Sequence, residues 1–400
     1  MSTYKKLSKR IKTVLLKTDM NLFCVDSIEK TKIIDNILND FPERLLIPEY
    51  TNIPKEIHNN IFSVGVLNKI IDIDSATDIV INGCSSIYVD YGNGPEKLND
   101  SEIISEFNSS KKVMDFARKI SMLAGVSISP VTPIVDGSIE IQTGAHKKTT
   151  LRFNIICEPL CPKGYGAIIS IRILRLSKLS FSDLVDADMI NPKIVPLLLE
   201  LVNSRKNILI SGGTGTGKTT FLSSILEICS NSDRIISIED TPEIDGSVHP
   251  HIVPLYTRNP NNDGVGEVTA YDLLNGVLRM RPDRIVLGEC RGREIEVLLN
   301  AFNTGHTGGI SSIHSNGISD IPARLFALGS YAGLTETMIT SLSISAFDIL
   351  IHLSREPNRR YISDIAMLTL NNGHLATKSL IKINADGTAF KTKDYFEYIN

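Results

Sequence analysis

The stretch Ser211 to Thr220 reads SGGTGTGKTT and fills the pattern G-x-x-x-x-G-K-[ST] from Gly212 to Thr219. Residues of these types at this spacing bind phosphate. Gly212, Gly213, Gly215 and Gly217 let the backbone curl until successive N–H groups face one anion, with Thr214, Thr216 and Thr220 filling the remaining loop positions. A helix that starts at the end of the loop adds the positive end of its dipole. Lys218 is placed to reach the β- and γ-phosphates of a bound nucleotide, and the Thr219 hydroxyl to complete the shell of a Mg²⁺ that bridges them.

Phosphoryl transfer to water also needs a group that orients or deprotonates the water and positive charge for the transition state. Three apolar runs downstream close on polar residues. Arg234–Ile238 ends at Glu239 and Asp240, Arg284–Leu287 at Gly288 and Glu289, and Gly309–Ile313 at His314. In an open α/β sheet, ligands collect outside the carboxyl ends of the strands, the edge that carries the phosphate loop. Glu239, Glu289 and His314 are therefore expected to converge on the γ-phosphate. Glu239 and Glu289 are the candidates for metal and water, and Asp240 and Glu243 stand near enough to share the metal shell. His306 and His314 flank a glycine-rich strand, where an imidazole can sense the γ-phosphate through a hydrogen bond. His249 and His251 read as surface turn residues around Pro250.

The elements that position these groups follow from apolar spacing. Asn207–Ile210 reads as a buried strand entering the loop, and Phe221–Leu226 leaves it with helical spacing. Ile295, Leu298, Leu299 and Phe302 form the apolar stripe of a covering helix. Strands recurring with helices between them describe a parallel sheet, so residues 192–400 are expected as an α/β phosphate-loop domain ending in hairpins from Asp348 onward.

Upstream, residues 65–175 read as a smaller α+β domain. Strands are expected at Asp78–Asn82, Ile87–Tyr91, Ser138–Ile141, Leu151–Ile156 and Ala167–Leu174, with a helix over Ser101–Ala124. Residues 176–191 read as a polar linker. Residues 1–64 read as a helical adapter broken by Pro42, Pro48 and Pro54. Its first helix sets Leu7, Ile11, Val14 and Leu15 on one face amid basic residues, a pattern that suits a solvated helix or an anionic membrane surface.

The 400 residues are 42% hydrophobic and 22% charged with net charge −3, an ordinary soluble composition without a global field toward nucleic acid or membrane. No apolar run approaches the ~20 residues of a bilayer span, and no signal peptide is read. Cys24, Cys84, Cys157, Cys161, Cys229 and Cys290 are scattered, which suits reduced thiols in a cytoplasmic protein.

Four blocks together carry a family resemblance: GGTGTGKTT from Gly212, ISIEDTPEI (Ile236 to Ile244), LRMRPDRIVLGECRG (Leu278 to Gly292) and NTGHTGGISSIHSNG (Asn303 to Gly317). They resemble the Walker A, Asp box, Walker B and His box of the type II and type IV secretion ATPases, and look closest to the TadA/CpaF branch that drives tight-adherence or Flp-type pili. TDIVING (Thr77 to Gly83), SIRIL (Ser170 to Leu174) and DIPARLFALGSYAGL (Asp320 to Leu334) extend the likeness to residues 65–370.

The resemblance implies a hexameric bacterial ATPase ring at the cytoplasmic face of the inner membrane. Each subunit has an N-terminal domain and a RecA-like motor domain with ATP and Mg²⁺ between them. The ring works on a polytopic membrane platform that assembles or exports pilin-like subunits. By motif, Glu239 is the Asp-box acid, Glu289 the Walker B acid and His314 the second His-box imidazole. Arginines from the N-terminal domain complete such sites, with Arg172 and Arg152 the candidates. Ile139–Lys148 looks like an insertion relative to the family, and the four-cysteine zinc element of some type II members is absent. The alternative is a nucleic-acid motor of a conjugation system. The lack of tryptophan and the near-neutral charge argue against it, and no stable nucleic-acid partner is expected.

Overall fold

The computed structural model describes residues 63–92, 94–143, 147–174, 179–260, 264–356 and 359–393. The basic helix read near residues 5–17, and nearly all of the adapter read over 1–64, lie outside the described residues. The chain divides into two compact units, Met1–Arg175 and Leu176–Asn400.

The first unit contains α1 (Asn68–Ile71), β1 (Asp78–Asn82), β2 (Ile87–Asp90), β3 (Pro95–Lys97), α2 (Ser101–Glu106), α3 (Ser110–Leu123), β4 (Ile134–Thr143), β5 (Lys147–Cys157) and β6 (Ala167–Leu174). Its strands form one sheet in the order β3-β2-β1-β6-β5-β4, with every pair antiparallel. Alternation along the strands sends Ile79, Ile81, Phe153, Ile155, Ile169 and Ile171 into one core. Val113, Ala117 and Ile120 of α3, spaced four and three apart, join that core. The single helix expected over Ser101–Ala124 is two. The break falls at Phe107–Ser109, where the Ser109 side chain, on extended backbone, accepts from Lys112 N and caps a new helix. Of the segment read as an insertion, Ile139–Thr143 belong to β4 and Lys147 and Lys148 to β5, strands that pair from Ile134 opposite Ile156 to Thr143 opposite Lys147; residues 144–146 lie outside the described residues.

The second unit contains α4 (Phe181–Asp186), α5 (Val195–Asn203), β7 (Ile208–Gly212), α6 (Lys218–Glu227), β8 (Ile235–Glu239), β9 (Ile252–Tyr256), α7 (Ala270–Val277) and β10 (Arg284–Leu287). It continues with α8 (Glu294–Asn303), β11 (Ile310–His314), α9 (Ile321–Tyr331), α10 (Glu336–Ala346), β12 (Ile349–Glu356), β13 (Arg359–Asn371), β14 (His374–Ile383) and β15 (Ala389–Lys391). The sheet order is β15-β14-β13-β12-β7-β11-β10-β8-β9. From β12 to β9 all neighbours are parallel, and β13 to β15 are antiparallel. β7, β8 and β10 are buried at every position, as strands covered on both faces must be. Ile208 and Ile210 pack with Phe221, Leu222 and Ile225 of α6 on one face. Leu209, Ile285 and Leu287 pack with Leu298, Leu299 and Phe302 of α8 on the other.

Four features differ from the sequence reading. The stretch read as a linker holds α4, opened by a Ser180–Asp183 capping box, and Phe181, Leu184, Met189 and Ile190 are buried in the core. His249 is no surface turn residue: it is 2% exposed and its Nε2 lies 3.0 Å from Ser230 O, while His251 is exposed. The strand after it, β9, has no counterpart in the sequence reading; Pro254 interrupts the run, and the sheet tolerates that proline because β9 is an edge. The hairpins expected after Asp348 form, but their first strand, β12, pairs parallel with β7 and extends the central sheet. Among the described residues, no helix is long and apolar enough to cross a membrane.

Candidate nucleotide site

β7 delivers the chain into the glycine-rich loop, and α6 starts at its end. Gly215 (φ 72°) and Gly217 (φ 90°) adopt left-handed backbone that a side chain resists, and Gly217 caps α6. A Cβ on Gly212 would stand 2.6 Å from Thr216 Oγ1 and 2.7 Å from Leu353 O, so only glycine fits against β12 there. Thr216 Oγ1 donates to Gly213 O at 3.0 Å and closes the loop. Thr214 is exposed, and Thr219 and Thr220 are half-buried in the first turn of α6. Lys218 is buried, and its Nζ donates to Gly212 O and Gly213 O, each at 3.0 Å. Burial pushes the Lys218 ammonium below the usual lysine range, with the Glu289 charge opposing.

Strand order brings the second group in. β11 lies between β7 and β10, and His314 is in register with Gly212. Lys218 Nζ is 3.3 Å from His314 Nδ1, and His314 Nε2 is 2.8 Å from Glu289 Oε1. Donation from the ammonium to Nδ1 leaves the imidazole proton on Nε2, close to the carboxylate but not aligned for a hydrogen bond to Oε1. Burial holds the His314 pKa below the ordinary histidine value, against the pull of Glu289, so the neutral ring is favoured. On its other oxygen Glu289 accepts from Arg291, Nη2 at 2.5 Å and Nε at 2.8 Å. Arg291 Nη1 reaches Asp240 Oδ2 at 3.3 Å, and Asp240 Oδ1 accepts from Thr257 Oγ1 at 3.1 Å. Lys218, His314, Glu289, Arg291 and Asp240 thus form one continuous chain of contacts.

Glu239 closes β8 beside them and is buried. A Cβ on Gly288 would lie 3.2 Å from Glu239 Cγ, so the glycine before Glu289 makes room for the neighbouring acid. Glu239 Oε1 accepts from Glu243 N (3.2 Å) and Ile244 N (3.0 Å), while buried Oε2 has no partner among the described residues. Burial pushes the carboxyl up to about 8, with the two N–H donors opposing. A folded pKa above the unfolded value of about 4.3 means that the folded chain keeps a proton the unfolded chain has lost. Its contribution to stability is therefore fully present below pH ~4, declines toward pH ~8 and is level beyond. Glu239→Gln in the nucleotide-free protein is expected to flatten the fall in Tm between pH 5 and pH 9; an unchanged slope would refute the assignment.

A family model described as type II/IV secretion system protein matches residues 63–370. The chain belongs to that family. Among its relatives, a putative conjugal transfer protein of Mycobacterium tuberculosis is 35% identical over 321 residues, covering 80% of this chain and 88% of the relative. The X-ray structure of the Legionella pneumophila ATPase DotB superposes with TM-score 0.52 at 16% identity, covering 80% of this chain and 79% of DotB. The pilus retraction motor PilT with bound ADP superposes with TM-score 0.50 at 20% identity, covering 81% and 84%. At these identities the structural likeness is one of fold, a RecA-like α/β domain preceded by a smaller N-terminal domain.

In this type II/IV secretion system protein, the residues singled out from sequence divide by location. Lys218, Glu289 and His314 meet, Glu239 packs against Gly288, and Asp240 joins through Arg291. His306 precedes β11, at the opposite end of that strand from His314, with Nδ1 3.3 Å from Ala301 O. Arg172 and Arg152 belong to the N-terminal unit, directly opposite one another on β6 and β5. Arg172 Nε is paired with Asp78 Oδ1 at 3.0 Å. Arg291 was not foreseen; its only sequence signal is its place two residues after Glu289.

Proposed function

We propose that this protein is a Mg²⁺-dependent ATPase motor that couples hydrolysis to moving macromolecules across a cell envelope. The contact of Lys218, His314 and Glu289 at the ends of adjacent strands carries this reading. Lys218 neutralises charge on the β- and γ-phosphates. His314, neutral and with its proton on Nε2, links the lysine to Glu289 and reports the presence of the terminal phosphate. Glu289 orients the attacking water and accepts its proton. The donor set suits Mg²⁺: the Thr219 hydroxyl follows Lys218, the buried Glu239 Oε2 lacks a partner among the described residues, and Glu289 and Asp240 lie beside them. Mg²⁺ held with nucleotide takes most of its oxygens from phosphate and water, so one or two protein oxygens suffice. When bound, the ion supplies charge neutralisation across the β- and γ-phosphates.

The finer reading is a hexamer of the TadA/CpaF type, at the cytoplasmic face of the membrane, working through a polytopic platform on pilin-like subunits. Its support is the order of the four blocks. In this reading residues 65–175 form the N-terminal domain that brings Arg172, with Arg152 beside it, to complete the site in the ring. Residues 1–64 are the adapter, 176–191 the connection and 192–400 the motor. A DNA-transfer motor is the second reading, favoured by the name of the mycobacterial relative. Net charge −3 and the absence of tryptophan weigh against a strand channel.

Steady-state ATP turnover per chain, measured with Mg²⁺ against protein concentration, tests both levels. We expect specific activity to rise and then plateau as sites complete between subunits. Substantial activity that is flat with concentration overturns the ring and the arginine assignments; absence of turnover at every concentration overturns the ATPase. Stimulation of several-fold by single-stranded DNA favours the second reading.

A further inference from the structure

The hairpin of β12 and β13 places two arginines against the phosphate loop of the same chain. β12 runs beside β7 with Leu353 in register with Gly212, so the residues after Leu353 continue past the strand end toward the loop. Arg355 Nη1 lies 2.8 Å from where a Cβ on Gly215 would stand. The guanidinium therefore rests on the bare backbone of the loop. Arg360 Cδ lies 3.8 Å from the corresponding point on Gly217. Arg355 and Arg360 are direct cross-strand partners.

Like charges directly opposite on paired strands destabilise a sheet. Among the described residues, neither arginine has a hydrogen-bond or ion-pair partner. Their neighbours on the hairpin are satisfied: Arg359 donates to Ala385 O and Asp188 O, and Glu356 Oε1 accepts from the Tyr361 hydroxyl at 3.4 Å. Between hairpin and loop lies a pocket of about 480 Å³ lined by Gly213, Thr214, Thr216, His352, Arg355 and Glu356, among others. Backbone N–H groups of the loop and guanidinium N–H groups are both donors, so neither satisfies the other. An anion with several oxygens satisfies both.

We propose that Arg355 and Arg360 form a cation pair, supplied by the subunit's own hairpin, that grips the polyphosphate of the bound nucleotide. The inference rests on the nucleotide binding proposed above and adds a ligand contact from the C-terminal hairpin. Guanidinium is the fitting group because its planar fork bonds phosphate oxygens bidentately, where an ammonium is a point charge.

The test is calorimetric titration of the full chain with Mg-ADP, which is not hydrolysed, alongside thermal melts with and without ADP. Arg355→Ala is expected to weaken ADP binding about tenfold and Arg355→Ala/Arg360→Ala more, as loss of charge-assisted hydrogen bonds requires. Arg355→Lys should recover part of the loss. Nucleotide-free Tm should stay level or rise, because a like-charge pair is removed, while the ADP-induced shift shrinks. A double variant that binds ADP within twofold of wild type overturns the inference and leaves the nucleotide reading standing. A lowered nucleotide-free Tm with an intact ADP shift also overturns it, marking a structural role. Wild-type protein that binds no ADP overturns the nucleotide reading itself.

Discussion

Glu289→Gln is expected to reduce ATP turnover by roughly 10²–10³-fold, the loss typical when one preorganised group is removed from a transition state. The amide keeps the shape of the carboxylate in a site where Glu289 is 18% exposed, so packing survives. The charge does not. His314 Nε2, 2.8 Å away, loses the neighbouring anion, and Arg291 loses one of its two carboxylate partners, keeping Asp240. Nucleotide affinity should change little, because the loop and Lys218 are untouched. Lys218→Ala should abolish turnover and binding together, since its ammonium is the cation seated within the loop. Single-turnover hydrolysis and nucleotide binding separate the two variants. Wild-type turnover in Glu289→Gln would transfer the water-activating role to Glu239, whose own glutamine variant is then the comparison to make.

Asp233→Ala should cost about 3–5 kcal/mol of stability, the penalty for leaving a buried charge unpaired. Asp233 and Arg284 have side chains only 1% and 2% exposed, and Arg284 Nε meets Asp233 Oδ2 at 2.6 Å. Arg205 bonds the other carboxylate oxygen. Arg284 also donates to Val202 O at 2.8 Å and Gly308 O at 3.3 Å, tying the end of α5 and the entries to β8, β10 and β11 together. This knot lies at the opposite end of the strands from the phosphate loop, so its loss should lower stability without a specific effect on catalysis. Burial raises the Asp233 pKa, but Arg284 and Arg205 outweigh it and hold the carboxyl below the usual range. That stabilisation is present above the unfolded value near pH 4 and is lost as pH falls through the depressed folded value. Urea unfolding at pH 7 and acid titration measure both effects. A variant within 1 kcal/mol of wild type would mean that the buried arginine finds another partner.

The sequence by itself determined the phosphate loop and its flanking strand and helix, the acids and imidazole that close three strands, and the stripe of α8. Each is written in neighbouring residues: glycines where the backbone turns, apolar spacing where it packs. Local signals also misled. The polar residues around Phe181 and Leu184 hid a helix, Pro254 hid an edge strand, and a His-Pro-His turn gave no sign that His249 is buried.

Tertiary structure alone decided which distant residues meet. Insertion of β11 between β7 and β10 carries His314 to Lys218 on one side and Glu289 on the other, and no local pattern encodes strand order. The same holds for Arg291, which folds back across two carboxylates, and for Arg355 and Arg360, brought to the loop because β12 pairs with β7. Burial sets the protonation of Glu239 and His314, and burial is a property of the packed sheet and not of the side chain that titrates.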